Sequence, residues 1–329
     1  MGEQLQQLAV PYLITFGIAL LVSVLVGPVL IPFLHKLKFG QEIREEGPSW
    51  HKKKSGTPTM GGFIFIAGVL AATLFMARDT STLIVLICAV GFGLIGFIDD
   101  FIKVILKRNL GLTALQKLAL QIALAVAFVI TLNALGLLHT DIILPFVKEP
   151  VNLGWFYVAF AVFIMVGFVN AVNLTDGLDG LATSVTAVVS LFFAAVSLLA
   201  GNNSLAVFLV ALTGGCLGFL LFNHYPAKVF MGDTGSLFLG GAVSAAAIVL
   251  KMPLILVIVG IIYVVEALSV MLQVASFKLT GKRIFKMSPI HHHFEMCGWR
   301  EVKIVSVFCA VTVVFCVIGY FAAAPYLAV

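Results

Sequence analysis

The stretch TLIVLICAVGFGLIGFIDD (82–100) decides the fold class, because it joins an apolar run directly to two carboxylates. Residues 82–98 contain no charged side chain, and Asp99 and Asp100 follow at once. A helix of about 20 predominantly apolar residues spans the hydrocarbon core of a bilayer. Two adjacent acids at the end of such a helix are costly unless a cation or a hydrogen-bond donor meets them. The stretch therefore predicts a membrane-spanning helix that brings polar chemistry to one membrane surface.

Similar apolar runs recur along the whole chain, whose 329 residues are 61% hydrophobic and only 11% charged. The mean hydropathy is +1.13, and a soluble domain would carry about twice that charged fraction. These features predict an all-α polytopic membrane protein with about ten transmembrane helices, forming a single integral-membrane domain over residues 1–329. The predicted spans are 8–34, 59–77, 82–98, 113–136, 154–173, 180–200, 205–222, 236–250, 254–277 and 304–325.

The basic residues indicate how these spans are oriented. Of the 20 lysines and arginines, all but Arg78, Lys148 and Lys251 fall in one alternate set of loops. Loops rich in Lys and Arg remain on the cytoplasmic side of a membrane. We therefore expect both termini to face outward, to the periplasmic or extracellular side. This placement also accounts for the net charge of +5, so we expect no nucleic-acid partner.

Polar clusters concentrate in the loops predicted to be cytoplasmic. Asp99 and Lys103 are four residues apart and would share one face of a helix, either as a local ion pair or beside a Mg²⁺ site. In NAVNLTDGLDG (170–180), two Asn and two Asp recur every three residues without a basic residue. This pattern favours a cation or a donor-rich ligand over an ordinary helix cap, although it lacks the EF-hand spacing.

Three further loops offer groups suited to phosphate. In GDTGS (232–236), two glycines flank Asp233 just before a helix, so backbone N–H groups could meet a phosphate, or the segment could be an ordinary capped turn. The histidines of IHHHFE (290–295) cannot all ligate one metal from a regular helix, and imidazoles can donate to phosphate or relay protons. The run KKKSGTPT (52–59) adds three lysines beside a turn.

These motifs together resemble the phospho-N-acetylmuramoyl-pentapeptide transferases of bacterial peptidoglycan synthesis, a branch of the polyprenyl-phosphate N-acetylhexosamine-1-phosphate transferase superfamily. The resemblance covers essentially the whole chain. The acidic motifs are shared by the superfamily, whereas the histidine run is similar to that of the muramoyl-pentapeptide branch. The motifs are GTPTMGG (56–62), DDFIK (99–103), NAVNLTDGLDGLA (170–182), FMGDTGSL (230–237) and PIHHHFE (289–295).

The resemblance implies an activity. Undecaprenyl phosphate would attack the β-phosphate of UDP-MurNAc-pentapeptide in the presence of Mg²⁺, giving UMP and the lipid-linked sugar known as lipid I. It also implies a homodimer in the bacterial inner membrane, a cytoplasmic catalytic face, and a ninth helix that is bent or broken. Pro253 before the ninth span is compatible with such a break.

The resemblance further implies roles for individual residues. The catalytic residues would be Asp99, Asp100, Asp233 and His291, with Asp99 as the base or orienter of the lipid phosphate. Asp233 is the first choice as a Mg²⁺ ligand, supported by Asp100 and Asp176. The expected substrate-binding residues are Lys54, Thr59, Lys103, Lys117, Asn170, Asn173, Asp176, Asp179, Asn223, Phe230, Gln273, His292 and His293.

Alternative functions follow from the same residues. A transferase of the same superfamily that uses UDP-GlcNAc would share the acidic motifs. A membrane transporter would place ionisable groups near the bilayer midplane in paired repeats, but only Glu266 lies deep within a predicted span and no repeat is visible. We prefer one-step attack by the lipid phosphate, and a two-step route through an aspartyl phosphate remains open.

Overall fold

The computed structural model describes residues 2–36, 56–105 and 111–327, and this part of the chain is mainly helical. A two-stranded antiparallel hairpin pairs β1 (Asp141–Ile142) with β2 (Val151–Asn152). The helices are α1 (Gly2–Lys36), α2 (Gly62–Met76), α3 (Thr80–Ile105), α4 (Ala114–Ala134), α5 (Phe156–Thr175), α6 (Leu181–Leu199), α7 (Asn203–Asn223), α8 (Gly232–Val249), α9 (Pro253–Val259), α10 (Ile261–Thr280), α11 (Ile290–Met296) and α12 (Glu301–Leu327).

The all-α polytopic architecture predicted from the sequence is confirmed. Among the described residues, nine helices are long and apolar enough to cross a membrane. The predicted second span appears as α2, which has only 15 residues. At 1.5 Å per residue it extends about 22 Å, less than the roughly 30 Å of a hydrocarbon core. Because α2 packs against α1 and α7, the protein itself covers much of this short helix.

The predicted break in the ninth span is also confirmed. The span divides into α9 and α10, which meet at Gly260. Just beyond the break, the hydroxyl of Tyr263 lies 2.7 Å from the hydroxyl of Thr186 on α6. Hydroxyl pairs of this kind hold helices together in an apolar environment. The bond therefore fastens the start of α10 to the helix bundle.

The helix ends fall on two opposite faces of the bundle. The first, here called the site face, carries the end of α3 and the beginnings of α4 and α8. On the opposite face, the Ile143 N–H donates to the carbonyl of Lys251, and the Phe146 N–H donates to the carbonyl of Ala322. These bonds join the hairpin segment to the end of α8 and to the end of α12.

Helix α8 is the centre of the bundle and is built largely from small residues. Its sequence, GDTGSLFLGGAVSAAAIV, is buried almost throughout, and α3 and α5 pack closely along it. Small side chains let neighbouring helix backbones approach each other in membranes. The closest approach is at Gly96 on α3, where an added Cβ atom would overlap the backbone of Asp233 and lie 2.7 Å from the Thr234 nitrogen. This contact brings the end of α3 to the beginning of α8.

The contact at Gly96 can be tested by adding one methyl group. We expect Gly96→Ala to lower the melting temperature and the activity together, because overpacking typically costs about 1–3 kcal/mol. Gly167→Ala is the matched control, since Gly167 also lies within a helix but has no neighbouring atom within 4 Å of the added Cβ. Thermal unfolding in detergent measures both variants, and equal melting temperatures would contradict the close approach.

Candidate active site

Three carboxylates meet where α3 ends and α8 begins. Asp99, Asp100 and Asp233 each offer an oxygen, and these oxygens all lie within 4.8 Å of one another. Asp99 and Asp100 are buried, whereas the side chain of Asp233 is 17% exposed. Because 132 or more residues separate Asp233 from the other two in the chain, only the packing of α3 against α8 forms this acid cluster.

Two lysines lie directly against the acid cluster. Lys103 Nζ is 2.6 Å from Asp99 Oδ2 and 2.7 Å from Asp233 Oδ2. Lys117 Nζ, from the first turn of α4, is 2.9 Å from the same oxygen of Asp233 and 4.0 Å from Asp99 Oδ2. The two ammonium groups offset two of the three formal negative charges. Lys103 and Lys117, two of the three lysines predicted to bind substrate, therefore lie at the cluster.

Asp100 has a different environment from its neighbour Asp99. Its Oδ1 accepts a hydrogen bond of 3.2 Å from the Asp233 N–H, and its Oδ2 accepts from both the N–H and the hydroxyl of Thr234 at 2.9 and 2.7 Å. The first N–H groups of a helix lack partners within the helix and favour a negative charge. Asp100 therefore acts as the cap of α8 from another helix, and it fixes the backbone that carries Asp233.

Asn173 orients the remaining oxygen of Asp233. Its side-chain amide donates to Asp233 Oδ1 and to the hydroxyl of Ser236, each at 2.8 Å. Asp99 is held in a similar way, because its Oδ1 accepts from the Leu112 N–H at 2.8 Å. Each acid of the cluster is thus bound through both of its oxygens.

The GTPTMGG segment lies beside the acid cluster. The Phe230 N–H donates to the Pro58 carbonyl and the Gly61 N–H donates to the Phe230 carbonyl, at 2.9 and 2.8 Å. Thr59 is buried, and its hydroxyl lies against Gly232, next to Asp100 Oδ2. The structure therefore places Thr59 and Phe230 together at the start of α8. Lys54, the other residue predicted from this region, lies outside the described residues.

Two of the asparagines predicted to bind substrate form hydrogen bonds within the protein. Asn170 pairs with the buried Gln121, donating to its Oε1 at 2.7 Å. Asn223 accepts from the Thr183 hydroxyl at 2.9 Å and donates to the Val229 carbonyl at 3.0 Å. Both side chains join helices or loops that flank the cluster. A direct contact of either with substrate stays a prediction.

The 176–180 loop continues from α5, just beyond Asn173. Asp179 accepts from the Ala227 N–H at 2.9 Å, and its own N–H donates to Glu301 in the first turn of α12. Asp176 lies at the C-terminal end of α5 and is not one of the three clustered acids. This loop therefore ties α5 to the segment before α8 and to α12.

The predicted histidines occupy three different environments. His291 is fully buried, and its ring packs against Gly177 of the 176–180 loop. His292 Nδ1 is 2.7 Å from Glu295 Oε2 on the same helix, α11. His293 Nδ1 accepts from the Lys286 N–H at 3.2 Å. His291 therefore contacts a loop that carries predicted site residues.

Gln273 holds the loop that precedes α11. Its Oε1 accepts from the Ile284 and Phe285 N–H groups, both at 3.0 Å, and its amide donates to the Phe285 carbonyl at 2.9 Å. All three bonds are internal to the protein. The role of Gln273 in substrate binding stays a prediction.

The donor set of the cluster is that of a hard divalent cation. Carboxylate oxygens are the ligands that Mg²⁺ prefers, usually with several waters retained. Asp99 and Asp233 present oxygens toward the lysines and away from the helix backbone, so these two fit best as ligands. Asp100 fits less well in direct coordination, because both of its oxygens already accept from the start of α8.

Comparisons with known proteins show the family of this chain. A family model described as glycosyl transferase family 4 matches residues 82–251, which include all three clustered acids. A phospho-N-acetylmuramoyl-pentapeptide-transferase from Clostridium perfringens (strain 13 / Type A) is 57% identical over 305 residues, covering 92% of this chain and 96% of the relative. The chain belongs to the phospho-N-acetylmuramoyl-pentapeptide-transferase family.

Other members of the transferase family match over nearly the full length. The relative from Acetivibrio thermocellus is 55% identical over 317 residues, covering 95% of each chain. The relative from Clostridium botulinum (strain Alaska E43 / Type E3) is 51% identical over 327 residues, covering 98% of this chain and all of the relative. These relatives are named as muramoyl-pentapeptide transferases, which favours that branch over a GlcNAc-phosphate transferase or a transporter.

Several residues that shape the site were not singled out from the sequence. Thr234 and Ser236 lie within a quoted motif, but their hydroxyl contacts depend on how α3 and α5 meet α8. Glu301 and Gln121 gave no local signal, since each is an ordinary polar residue near or within a helix. Glu266 did give a signal, because it is the one acid deep within a predicted span.

Proposed function

We propose that this protein transfers phospho-MurNAc-pentapeptide from UDP-MurNAc-pentapeptide to undecaprenyl phosphate, giving lipid I and UMP. This reaction is the first membrane step of peptidoglycan synthesis. The observation that carries the proposal is the acid cluster with its two lysines, placed where membrane-spanning helices end. A lipid phosphate and a soluble nucleotide can meet at such a position, and the family membership supports the same substrates.

The transfer exchanges one pyrophosphate bond for another. An oxygen of the lipid phosphate bonds to the β-phosphorus of the donor, and the bond from that phosphorus to the oxygen bridging to the α-phosphate breaks. UMP leaves with the bonding electron pair. No external energy source is required, because the number of pyrophosphate bonds is unchanged. The second pKa of a phosphate monoester is about 6, so the lipid phosphate is already largely a nucleophilic dianion at neutral pH.

The chief obstacle is the repulsion between two anionic substrates, so catalysis consists mainly of positioning and charge neutralisation. Lys103 and Lys117 supply two positive charges at the cluster and would bind phosphate oxygens. Asp99, which faces both lysines, would orient the lipid phosphate. The Thr59 hydroxyl offers a further donor on the side of Gly232.

We propose Mg²⁺ as the cofactor, with Asp233 and Asp99 as its protein ligands. The ion would neutralise phosphate charge when bound. Asp100 would support the site by holding the backbone of Asp233. Asp176 would support the Mg²⁺ site from the end of α5. The same helix carries Asn173 to the cluster.

The internal bonds of the acids support one-step attack over the two-step route. A carboxylate that attacks phosphorus must free an oxygen. Asp100 would have to release the start of α8, and Asp233 would have to release Asn173 or both lysines. In the one-step route the lipid phosphate is the nucleophile, and no carboxylate has to form a bond to phosphorus.

The function is tested by measuring UMP release from UDP-MurNAc-pentapeptide with purified protein and a polyprenyl phosphate, with and without Mg²⁺. We expect release that requires both the lipid and the metal, and that stops when the metal is chelated. Release from UDP-GlcNAc alone would move the protein to the sister branch. Lack of release from both donors, in folded protein, would contradict the proposal.

We also propose that the site face is cytoplasmic in the bacterial inner membrane and that both termini face outward. The distribution of basic residues supports this orientation. We expect a Lys148→Cys, Cys297→Ser variant to react with a membrane-impermeant maleimide in intact cells, because Lys148 is exposed on the opposite face. Native Cys297, exposed beyond α11, should react only after permeabilisation. The reverse pattern would invert the topology.

A homodimer is proposed on the basis of the family resemblance. Light scattering of the detergent-solubilised protein, with the detergent contribution subtracted, measures the number of chains. We expect two chains per particle. A mass of one chain at all protein concentrations would contradict the dimer.

A further inference from the structure

Two fully buried ionisable side chains face each other outside the acid cluster. Glu266 on α10 and His291 on α11 are each 0% exposed. His291 Nδ1 lies 3.0 Å from Glu266 Oε1. The pair is at hydrogen-bonding distance but not at hydrogen-bonding angles, and in the described part of the chain neither side chain has another hydrogen-bond partner.

Glu266 and His291 lie close enough to form a hydrogen bond, although the ring is not aligned for one. A buried carboxylate without a donor is strongly unfavourable, above all within a membrane-spanning helix. The imidazole N–H is the donor within reach of Glu266, and a small rotation of the ring would align it. Catalytic hydrogen bonds are often poorly aligned before substrate binds. Glu266 and His291 therefore form one interacting pair.

The other side of the His291 ring faces the 176–180 loop. A Cβ atom at Gly177 would overlap Nε2 of His291 and lie 2.6 Å from its Cε1 atom. Gly177 follows four residues after Asn173, which contacts Asp233. Four residues reach at most roughly 14 Å along the backbone, so the loop that meets the ring continues directly from the helix that reaches the acid cluster. The neighbouring His292 ring, 4.1 Å away between centroids, limits how far His291 can turn.

We propose that Glu266 is a positioning residue for the transfer reaction: it holds Nδ1 of His291 and thereby aims Nε2 of the ring at the 176–180 loop. A carboxylate that accepts from Nδ1–H fixes both the orientation and the tautomer of an imidazole. The broken ninth helix supplies this carboxylate, since Glu266 lies less than two turns beyond Gly260. The proposal rests on the proposed function.

The test is a double-mutant cycle for UMP release with Glu266→Gln, His291→Ala and the double variant. Glu266→Gln preserves the shape of the side chain but removes the charge, and we expect kcat to fall roughly 10- to 100-fold. If Glu266 acts through His291, the double variant will be no slower than His291→Ala alone. Effects that multiply, or a Glu266→Gln enzyme as fast as wild type, would overturn the proposal.

Ser269→Ala is the matched control on the same helix. Ser269 is buried like Glu266, but its hydroxyl bonds only the Glu266 carbonyl in its own helix. We expect it to retain wild-type kcat, which separates loss of positioning from a general disturbance of α10. Wild-type protein that releases no UMP from either donor would instead contradict the proposed function.

A second measurement keeps the proposal testable if Glu266→Gln fails to fold. Nitrogen NMR of ¹⁵N-histidine-labelled wild-type protein, with His291→Ala used to assign the signal, reports which ring nitrogens carry protons. A protonated Nδ1 in His291 is expected. An unprotonated Nδ1 would overturn the proposal, because that nitrogen could not donate to Glu266.

Discussion

Asp233→Asn is expected to lower kcat about 10³-fold, the upper end of the loss seen when one preorganised electrostatic group is removed. Asp233 is the residue on which Lys103, Lys117 and Asn173 converge. An amide keeps the shape of the side chain but loses the charge that holds both lysines and would hold a metal. Its NH₂ group would also face an ammonium group or the Asn173 amide. We expect a smaller fall in melting temperature than for Asp100→Asn, since Asp233 is partly exposed whereas Asp100 is buried.

The control for Asp233→Asn is Asp141→Asn on the opposite face. Asp141 also accepts from an asparagine, Asn152, at 2.7 Å and faces a lysine, Lys251, at 3.9 Å. It therefore reproduces the local chemistry of Asp233 away from the proposed site. Steady-state UMP release with both variants provides the comparison. Comparable losses for the two would remove Asp233 from the active site.

Asp100→Asn is expected to lower the melting temperature and kcat together, with a loss of about 10²-fold in kcat. Both oxygens of Asp100 accept hydrogen bonds from the start of α8. Asparagine has one acceptor oxygen, so its NH₂ group would face a backbone N–H. A buried donor left without a partner costs about 1–3 kcal/mol. The start of α8 would shift and carry Asp233 with it.

Asp79→Asn is the control for this second substitution. Asp79 caps α3 on the opposite face, and its Oδ2 alone accepts from the Thr82 N–H and from the hydroxyls of Ser81 and Thr82. Burial would raise the pKa of Asp79, but these hydrogen bonds outweigh it and hold the pKa below its usual value. Asparagine caps helices as well as aspartate does, so we expect nearly unchanged melting and activity. An Asp100→Asn protein with wild-type melting would contradict the capping role.

Taken together, the two substitutions separate the roles of neighbouring acids. A large loss of activity with a small loss of stability is the expected result at Asp233, and a clear loss of both is expected at Asp100. Thermal unfolding and turnover measured on the same preparations distinguish the two patterns. The sequence placed Asp100 beside the metal, whereas its contacts in the structure are those of a helix cap.

Much of the fold was predictable because membrane insertion imposes a local rule. Backbone groups in a bilayer must be hydrogen-bonded within the protein, by a helix or by a closed barrel. An uncharged run as long as 82–98 exceeds the roughly 9–11 residues of a membrane strand, so it predicts a helix. Length and composition of a segment are read directly from the chain. The short length of α2 and the position of the break at Gly260 were harder to predict from the sequence, because both depend on neighbouring helices.

The sequence by itself determined the helical membrane architecture, the two sets of loops, and the residue types available for phosphate and metal chemistry. Only the tertiary structure decided which of these residues meet. Asp233 joins Asp99 and Asp100 because small residues such as Gly96 let α3 approach α8, and Glu266 meets His291 because α10 packs against α11. Contacts between residues far apart in the chain depend on helix packing, which no local pattern encodes, and packing therefore decides the role of each polar side chain.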